Sequence, residues 1–98
     1  MTIDKKLENG KLTLALSGRL DTNTSPDLEA ATKVLDGVEE LVFDFAGLEY
    51  IASSGLRVLL SAQKEMSAKG GRMVVANPND MVRGVFEMTG LDDIFEIA

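Results

Sequence analysis

Two adjacent hydroxyl side chains interrupt the apolar stretch YIASSGLRVLL, which runs from Tyr50 to Leu60. The interruption, Ser53 and Ser54 followed by Gly55, precedes a segment with helical spacing, and a serine at a helix start commonly caps the first N–H groups. Since one cap is enough, the pair predicts one capping serine and one spare hydroxyl. A spare hydroxyl there could carry a phosphate, because free N–H groups and the helix dipole stabilise an anion.

The other reactive side chains offer little catalytic chemistry. The 98 residues contain no histidine and no cysteine, which removes the usual neutral-pH base, the usual zinc ligand and all thiolate chemistry. Ser61 and Lys64 could be a dyad and Asp44 a lone acid, but a solvated helix face and a bond to a neighbouring loop explain them more simply. We therefore predict no catalytic residue, no metal, no cofactor and no enzyme activity.

Charge and hydropathy exclude two further classes of function. The formal net charge of -6 argues against binding to nucleic acid, which needs many contacts between basic side chains and phosphates. No apolar run approaches the ~20 residues that cross a bilayer, and the segment MTIDKKLENG lacks the apolar region of a secretory signal. We expect one domain over residues 1–98, located in the cytoplasm without membrane insertion.

Hydrophobic periodicity supplies the elements that must position the serines. The segment KLTLALSG alternates apolar and polar residues, the pattern of a strand with one buried face. Asn9 and Gly10 separate it from the extended segment TIDKKLE, and this dipeptide is typical of a tight hairpin because both residues tolerate positive φ. Two antiparallel strands are therefore expected first.

A short amphipathic helix is predicted next, over SPDLEAATKVLDG. Ser25 is a suitable N-cap and Pro26 suits the first helical position. Gly37 can end the helix in the left-handed conformation. The apolar stripe of this helix would be Leu28, Ala31 and Leu35.

The remaining sequence alternates between strand and helix. The strand ELVFDFAG is followed by the longest helix, SSGLRVLLSAQKEMSAKGG, and then by the strand RMVVA. A third helix, NPNDMVRGVFEMTG, would begin at a cap supplied by Asn77, Pro78 or Asn79 and stop at Gly90, and IFEI would be an edge strand. The five methionines are interpreted as core filler. The predicted apolar face of the longest helix is Leu56, Leu59, Leu60, Gln63 and Met66.

The predicted order is thus β-β-α-β-α-β-α-β, an α/β fold with a mixed, mainly parallel sheet and helices mostly on one face. In parallel crossover units every strand-to-helix loop emerges at the carboxyl edge of the sheet. The loops LDTNTS, YIASSG and ANPND should therefore be neighbours in space.

Four segments are distributed along most of the chain, from Gly18 to Ile97: GRLDTNTSPDLEAA, LVFDFAGLEYIASSGLRVLL, GGRMVVANPNDMVRGVFEMTGL and DDIFEI. They resemble bacterial anti-sigma-factor antagonists, single-domain members of the STAS family. In that family the second serine of an Asp-Ser-Ser-Gly-Leu stretch is phosphorylated by an anti-sigma factor that is also an ATP-using serine kinase. The unphosphorylated antagonist binds this partner and frees the sigma factor, and a serine phosphatase resets the cycle.

The resemblance implies that Ser54 is the phosphorylation site, with Ala52 standing where the family motif has Asp. It also implies a partner-binding surface at the loop edge. We expect the protein to be a monomer or weak dimer. An alternative role that keeps the fold is a STAS subunit of a lipid-transport ABC complex or of a stress-signalling assembly. The predicted partner-binding residues are Asp21, Asn23, Thr24, Ser53, Ser54, Gly55, Leu56, Arg57 and Asn77.

Overall fold

The computed structural model describes all 98 residues. Its elements are β1 (Thr2–Glu8), β2 (Lys11–Leu20), α1 (Ser25–Ala31), β3 (Glu40–Ile51), α2 (Ser53–Ala68), β4 (Arg72–Ala76), α3 (Asp80–Thr89), a 3-10 turn (Leu91–Asp93) and β5 (Glu96–Ile97). The strands form one five-stranded sheet in chain order. The first pair, β1 and β2, is antiparallel and the other neighbours are parallel, which confirms the predicted order and sheet type.

The first hairpin has the predicted turn. Asn9 and Gly10 adopt φ values of 49° and 81°, as the two central residues of this turn require. The register places Leu7 opposite Leu12 and Glu8 opposite Lys11.

One face of the sheet carries the core. Leu14, Phe43 and Val75 are aligned across β2, β3 and β4, and all three are fully buried. They belong to one hydrophobic cluster that also receives side chains from α1, α2 and α3. On the opposite face, Thr13 and Val42 are only half-buried. The helices therefore cover mainly one side, as predicted.

Strand β3 is longer than the sequence pattern indicated. The predicted strand ended at Gly47, whereas the observed one continues to Ile51. Its pairing with β2 shifts register twice, and the buried residues Phe45, Leu48 and Ile51 are consequently three residues apart instead of two. These irregularities hide the continuation from an argument based on alternation.

Helix α1 is shorter than predicted and begins differently. Its N-cap is Thr24, not Ser25, which is the first helical residue, and the helix ends at Ala31. Thr32 donates its hydroxyl to the carbonyl of Glu29, a local bond that competes with continued helix. The predicted stripe residue Leu35 is buried, but it lies in the following turn.

Helices α2 and α3 lie where the sequence placed them. The predicted α2 residues Leu56, Leu59 and Met66 are buried, whereas Leu60 and Gln63 are only partly buried. Val58 and Ala62 are also buried, so the packed face is wider than the predicted stripe.

Helix α3 has the predicted ends, but not the predicted methionine packing. The side chain of Asn79 accepts a hydrogen bond from Val82 N at 2.8 Å, and Gly90 ends the helix with φ 75°. Met81 and Met88 of this helix are exposed, so the interpretation of the methionines as core filler is wrong for these two.

Candidate functional site

The candidate site lies where β2 and β3 end side by side. Leu20 and Ile51 are paired at the last position of the ladder, and Ala52 N donates to Leu20 O at 2.8 Å. This bond brings the start of α2 against the loop between β2 and α1. The two loops LDTNTS and YIASSG are therefore neighbours, as the parallel topology required.

Neither serine caps α2, which corrects the sequence interpretation. The N-cap is Ala52, in an extended conformation and without a side-chain cap, and its carbonyl accepts the N–H groups of Gly55 and Leu56. Ser53 is exposed and Ser54 is half-buried. Neither hydroxyl therefore has the capping role that was predicted for one of them.

The Ser54 hydroxyl contacts α1 through Ser25. Their Oγ atoms lie 3.0 Å apart, and the Oγ of Ser25 lies 2.6 Å from the carbonyl oxygen of Asp21. Ser25 itself is buried, with 5% of its surface exposed. A continuous series of polar contacts thus joins α2, α1 and the preceding loop.

That preceding loop is held by the carboxylate of Asp21. Its Oδ1 accepts the backbone N–H groups of Asn23 and Thr24 at 3.0 and 3.1 Å. Partial desolvation acts to raise the pKa of Asp21, but these bonds, the Thr24 hydroxyl and the charge of Arg19 outweigh it and hold the pKa below its ordinary value. The carboxylate is therefore ionised at neutral pH and organises the loop.

A cation–π contact supports the same loop from the sheet. Arg19 and Tyr50 are partners across β2 and β3, and the guanidinium carbon lies 4.3 Å from the ring centroid. The carbonyl of Arg19 accepts the hydroxyl of Thr24 at 2.9 Å. The end of the sheet thus fixes the loop that faces Ser54.

Gly55 and Leu56 support this surface from below. Both residues are buried, and a Cβ atom added to Gly55 would lie 2.7 Å from Cγ of Leu20 and 3.1 Å from Cγ1 of Ile51. The glycine thus lets α2 approach the sheet closely. We assign both residues to positioning Ser54, not to direct contact with a partner.

A polar groove of about 510 Å³ runs between α1 and α2 beside the serines. Arg57 is exposed one turn after Ser54 and contributes a positive charge to its wall. The other lining residues are Thr22, Ser25, Pro26, Glu29, Thr32, Lys33, Ser54, Val58, Ser61, Ala62 and Glu65.

Within the third loop, ANPND, two asparagines contact different parts of β3. Pairing between β3 and β4 ends at Asp44 and Ala76, whereas β3 continues for seven residues to Ile51. Asn77 donates its side-chain N–H to Asp44 at 3.1 Å. Asn77 is therefore held beside Asp44 and not beside Ser54, whereas Asn79 of the same loop donates to the carbonyls of Leu48 and Glu49, nearer the end of β3.

The groups considered for catalysis have structural surroundings. Asp44 accepts hydrogen bonds from Ala46 N and the Asn77 side chain, in agreement with the structural interpretation of this residue, while Ser61 and Lys64 are exposed. No group of three or more Asp and Glu side chains is arranged to hold a metal ion. None of the helices combines the length and apolar character that crossing a membrane requires.

Ser25 is the main site residue that sequence reasoning missed. Its position just before Pro26 indicated a helix cap, and that interpretation concealed its contact with a residue 29 positions away. The pairing of Arg19 with Tyr50 was also missed, because it depends on the register of the extended β3. Once that register is known, Arg19 and Tyr50 fall at the end of the sheet that holds the Asp21 loop.

Comparisons with known proteins agree in sequence and in structure. The family model of the STAS domain matches residues 2–98. BtrV of Bordetella bronchiseptica is 36% identical over 100 residues, which cover 100% of this chain and 84% of BtrV. An anti-sigma F factor antagonist of Paenibacillus polymyxa is 33% identical and is covered to 86%, with 99% of this chain aligned. The structure of an anti-sigma factor antagonist from Mycobacterium paratuberculosis superposes with a TM-score of 0.87 at 28% identity, covering 98% of this chain and 83% of that one.

Proposed function

The chain belongs to the STAS domain family, and from that premise we propose that it acts as an anti-sigma-factor antagonist. In this role it binds an anti-sigma factor and thereby leaves a sigma factor free to act. The names of its relatives support this role. The observation that carries the proposal is the hydroxyl of Ser54, which is half-buried beside the loop of Asp21 and takes no part in capping α2.

The docking surface consists of groups that the sheet presents at one edge. Ser53 and Arg57 are exposed on the first turns of α2, and Asn23 and Thr24 follow Asp21 in the neighbouring loop. The hydrogen bonds of Asp21 fix this loop before a partner arrives, which lowers the entropy cost of binding. The protein acts by binding and not by catalysis.

Phosphorylation of Ser54 reverses the interaction. The anti-sigma partner, acting as a serine kinase, transfers the terminal phosphoryl group of ATP to Oγ of Ser54. A new O–P bond forms, ADP leaves, and the hydroxyl proton passes to the kinase or to solvent. A serine phosphatase then hydrolyses the ester, which releases inorganic phosphate and regenerates the hydroxyl.

The electrostatics of α2 allow this change without unfolding. The first turn of α2 contains no acidic residue, so a phosphate would be the first anion near its unpaired N–H groups. The phosphate adds about 1.5 to 2 negative charges and considerable bulk to the docking surface. We therefore expect the phosphorylated fold to persist while the complex with the anti-sigma factor dissociates.

The test uses the anti-sigma factor encoded in the same genome, purified and mixed with this protein. A complex should form with a non-hydrolysable ATP analogue and dissociate with ATP as Ser54 gains phosphate. The matched variant Ser54→Ala should bind and stay bound in ATP. Absence of binding by the unmodified chain, or binding to a transporter subunit instead, would contradict the proposal.

A further inference from the structure

A single hydroxyl proton on Ser25 cannot serve both of the oxygens within its reach. The carbonyl oxygen of Asp21 has no proton to give and lies 2.6 Å away, so it must accept the proton of Ser25. The 3.0 Å contact between the two Oγ atoms is then a bond that Ser54 donates to Ser25. The direction of the series is therefore Ser54 to Ser25 to Asp21.

We propose that Ser25 is a positioning residue that orients the acceptor hydroxyl of Ser54, an inference that rests on the proposed phosphorylation of that serine. Before transfer, the proton of Ser54 points toward buried Ser25 and the lone pairs of its oxygen point away from α1. These lone pairs are thus available to a phosphoryl group that approaches from outside. As the O–P bond forms, the hydrogen bond to Ser25 breaks and the proton leaves to the kinase or to solvent. Ser25 does not touch the phosphate donor and acts only through Ser54.

Ser25 is well suited to hold another side chain because it is itself fixed. It is buried, and the carbonyl of Asp21 accepts both its hydroxyl and its backbone N–H, the latter at 2.9 Å. Ser53, in contrast, is exposed on the same turn of α2, and its hydroxyl makes no hydrogen bond within the protein. The same contact thus explains how a kinase would choose between two adjacent serines.

The contact between Ser25 and Ser54 can persist after phosphorylation, with Ser25 becoming the hydrogen-bond donor. Once Ser54 has lost its proton, its oxygen can no longer donate to Ser25. The Ser25 hydroxyl can then turn from the carbonyl of Asp21 to the phosphate, because that carbonyl keeps the backbone N–H of Ser25. We infer that one residue serves both forms of the switch.

The first experiment needs no kinase. Three-bond couplings between Hα and Hβ of Ser54, measured by NMR, should show one dominant χ1 rotamer in the wild type and in the control Ser53→Ala. In Ser25→Ala the couplings should be averaged, since the hydroxyl can then visit three staggered rotamers. A single unchanged rotamer in Ser25→Ala would overturn the proposal.

The second experiment measures phosphate transfer from ATP by the purified anti-sigma kinase. Ser25→Ala should lower kcat about threefold or more with little change in KM, because only the orientation of the nucleophile is lost. Ser53→Ala should match the wild type. Ser25→Thr should restore the rate, since it keeps the hydroxyl at a position that lines the groove.

The outcomes separate the two proposals. If the wild type takes up phosphate at Ser54 and Ser25→Ala is as fast as Ser53→Ala, the positioning role is wrong and the proposed function stands. If the wild type takes up none, the proposed function fails and the positioning role in phosphorylation fails with it. A fall in kcat that Ser25→Thr does not restore would show that packing, not the hydroxyl, is responsible.

Discussion

Gly55 packs so closely on Leu20 that there is no room for a side chain between them. A Cβ atom on Gly55 would stand 2.7 Å from Cγ and 2.8 Å from Cδ2 of Leu20. Since Leu20 is fully buried at the end of β2, it cannot swing into solvent to make room. The absence of a side chain at Gly55 therefore determines how closely the start of α2, including Ser54, lies to the sheet.

We expect Gly55→Ala to lower the free energy of unfolding by about 1–3 kcal/mol, the usual cost of overpacking. The matched control is Gly84→Ala in α3, where a Cβ atom would meet nothing within 4 Å. This control should raise stability by about 0.5–1 kcal/mol, because alanine favours the helix over glycine. Urea unfolding of both variants measures the two effects, and equal changes would contradict the packing argument.

Charge at position 54 should act on docking and not on folding. We expect Ser54→Asp to weaken binding to the anti-sigma factor roughly a hundredfold, as a mismatch of about 3 kcal/mol implies. Its unfolding free energy should stay within about 0.5 kcal/mol of the wild type. Calorimetric titration and thermal unfolding provide the two measurements.

The control for this variant is Ser53→Asp, which adds the same charge one residue earlier. Because Ser53 is more exposed and has no contact with α1, it should weaken binding less than Ser54→Asp. Identical losses at the two positions would argue for a general charge effect and against a specific acceptor. A large fall in the thermal unfolding midpoint of Ser54→Asp would show that the substitution acts on folding stability and not on docking.

The contribution of the Asp21 carboxylate to the free energy of unfolding should depend on pH. The pKa of this carboxyl in the folded chain lies below its ordinary value of 3.8, so the charged form stabilises the folded state at higher pH. That contribution is complete above 3.8 and is lost as the pH falls through the lower pKa of the folded state. The variant Asp21→Asn keeps an acceptor oxygen but lacks this titration.

Unfolding in urea, repeated from neutral pH to well below 3.8, would measure the difference between Asp21→Asn and the wild type. We expect the wild type to lose its advantage over the variant at the acid end. A difference that stays constant with pH would show that the carboxylate charge does not stabilise the loop.

Asn79 has two separable roles, which give a fourth prediction. Its Oδ1 caps α3, and its Nδ2 donates to the carbonyls of Leu48 and Glu49 at 3.1 and 3.3 Å. Asn79→Ala removes both roles and should cost about 1 kcal/mol or more. Asn79→Asp keeps the cap acceptor but sets a carboxylate oxygen against the two carbonyls, so it should also be less stable than the wild type in thermal unfolding. A stability equal to that of the wild type would show that the Nδ2 bonds contribute nothing.

Sequence reasoning succeeded where the chemistry is local. The turn at Asn9 and Gly10 and the stop at Gly90 follow from local residue preferences, and the structure has both. The cap of α3 was predicted only to lie among residues 77–79, and the structure selects Asn79. The alternation of Leu41, Phe43 and Phe45 likewise identified the buried face of β3. These signals depend only on residues close together in the chain, so they can be recognised in a single sequence.

It failed where the structure depends on distant partners. The extent of β3 is set by irregular pairing with β2, which no pattern within β3 reveals. Ser25 resembles a helix cap in sequence, and only the approach of α2 makes it a partner of Ser54. Leu28, Ala31 and Leu35 have helical spacing whether or not the helix continues past Ala31, so the end of α1 could not be predicted.

The carbonyl of Ala52, which accepts the first N–H groups of α2, has a consequence for the lifetime of the protein in the cell. Because no side chain caps α2, phosphorylation of Ser54 would remove no capping bond, and we expect little loss of stability and no larger population of open, protease-sensitive molecules. The phosphorylated and unmodified forms of the protein should then be degraded at similar rates. The ratio of phosphorylated to unmodified protein would then depend on the activities of the proposed kinase and phosphatase and not on degradation.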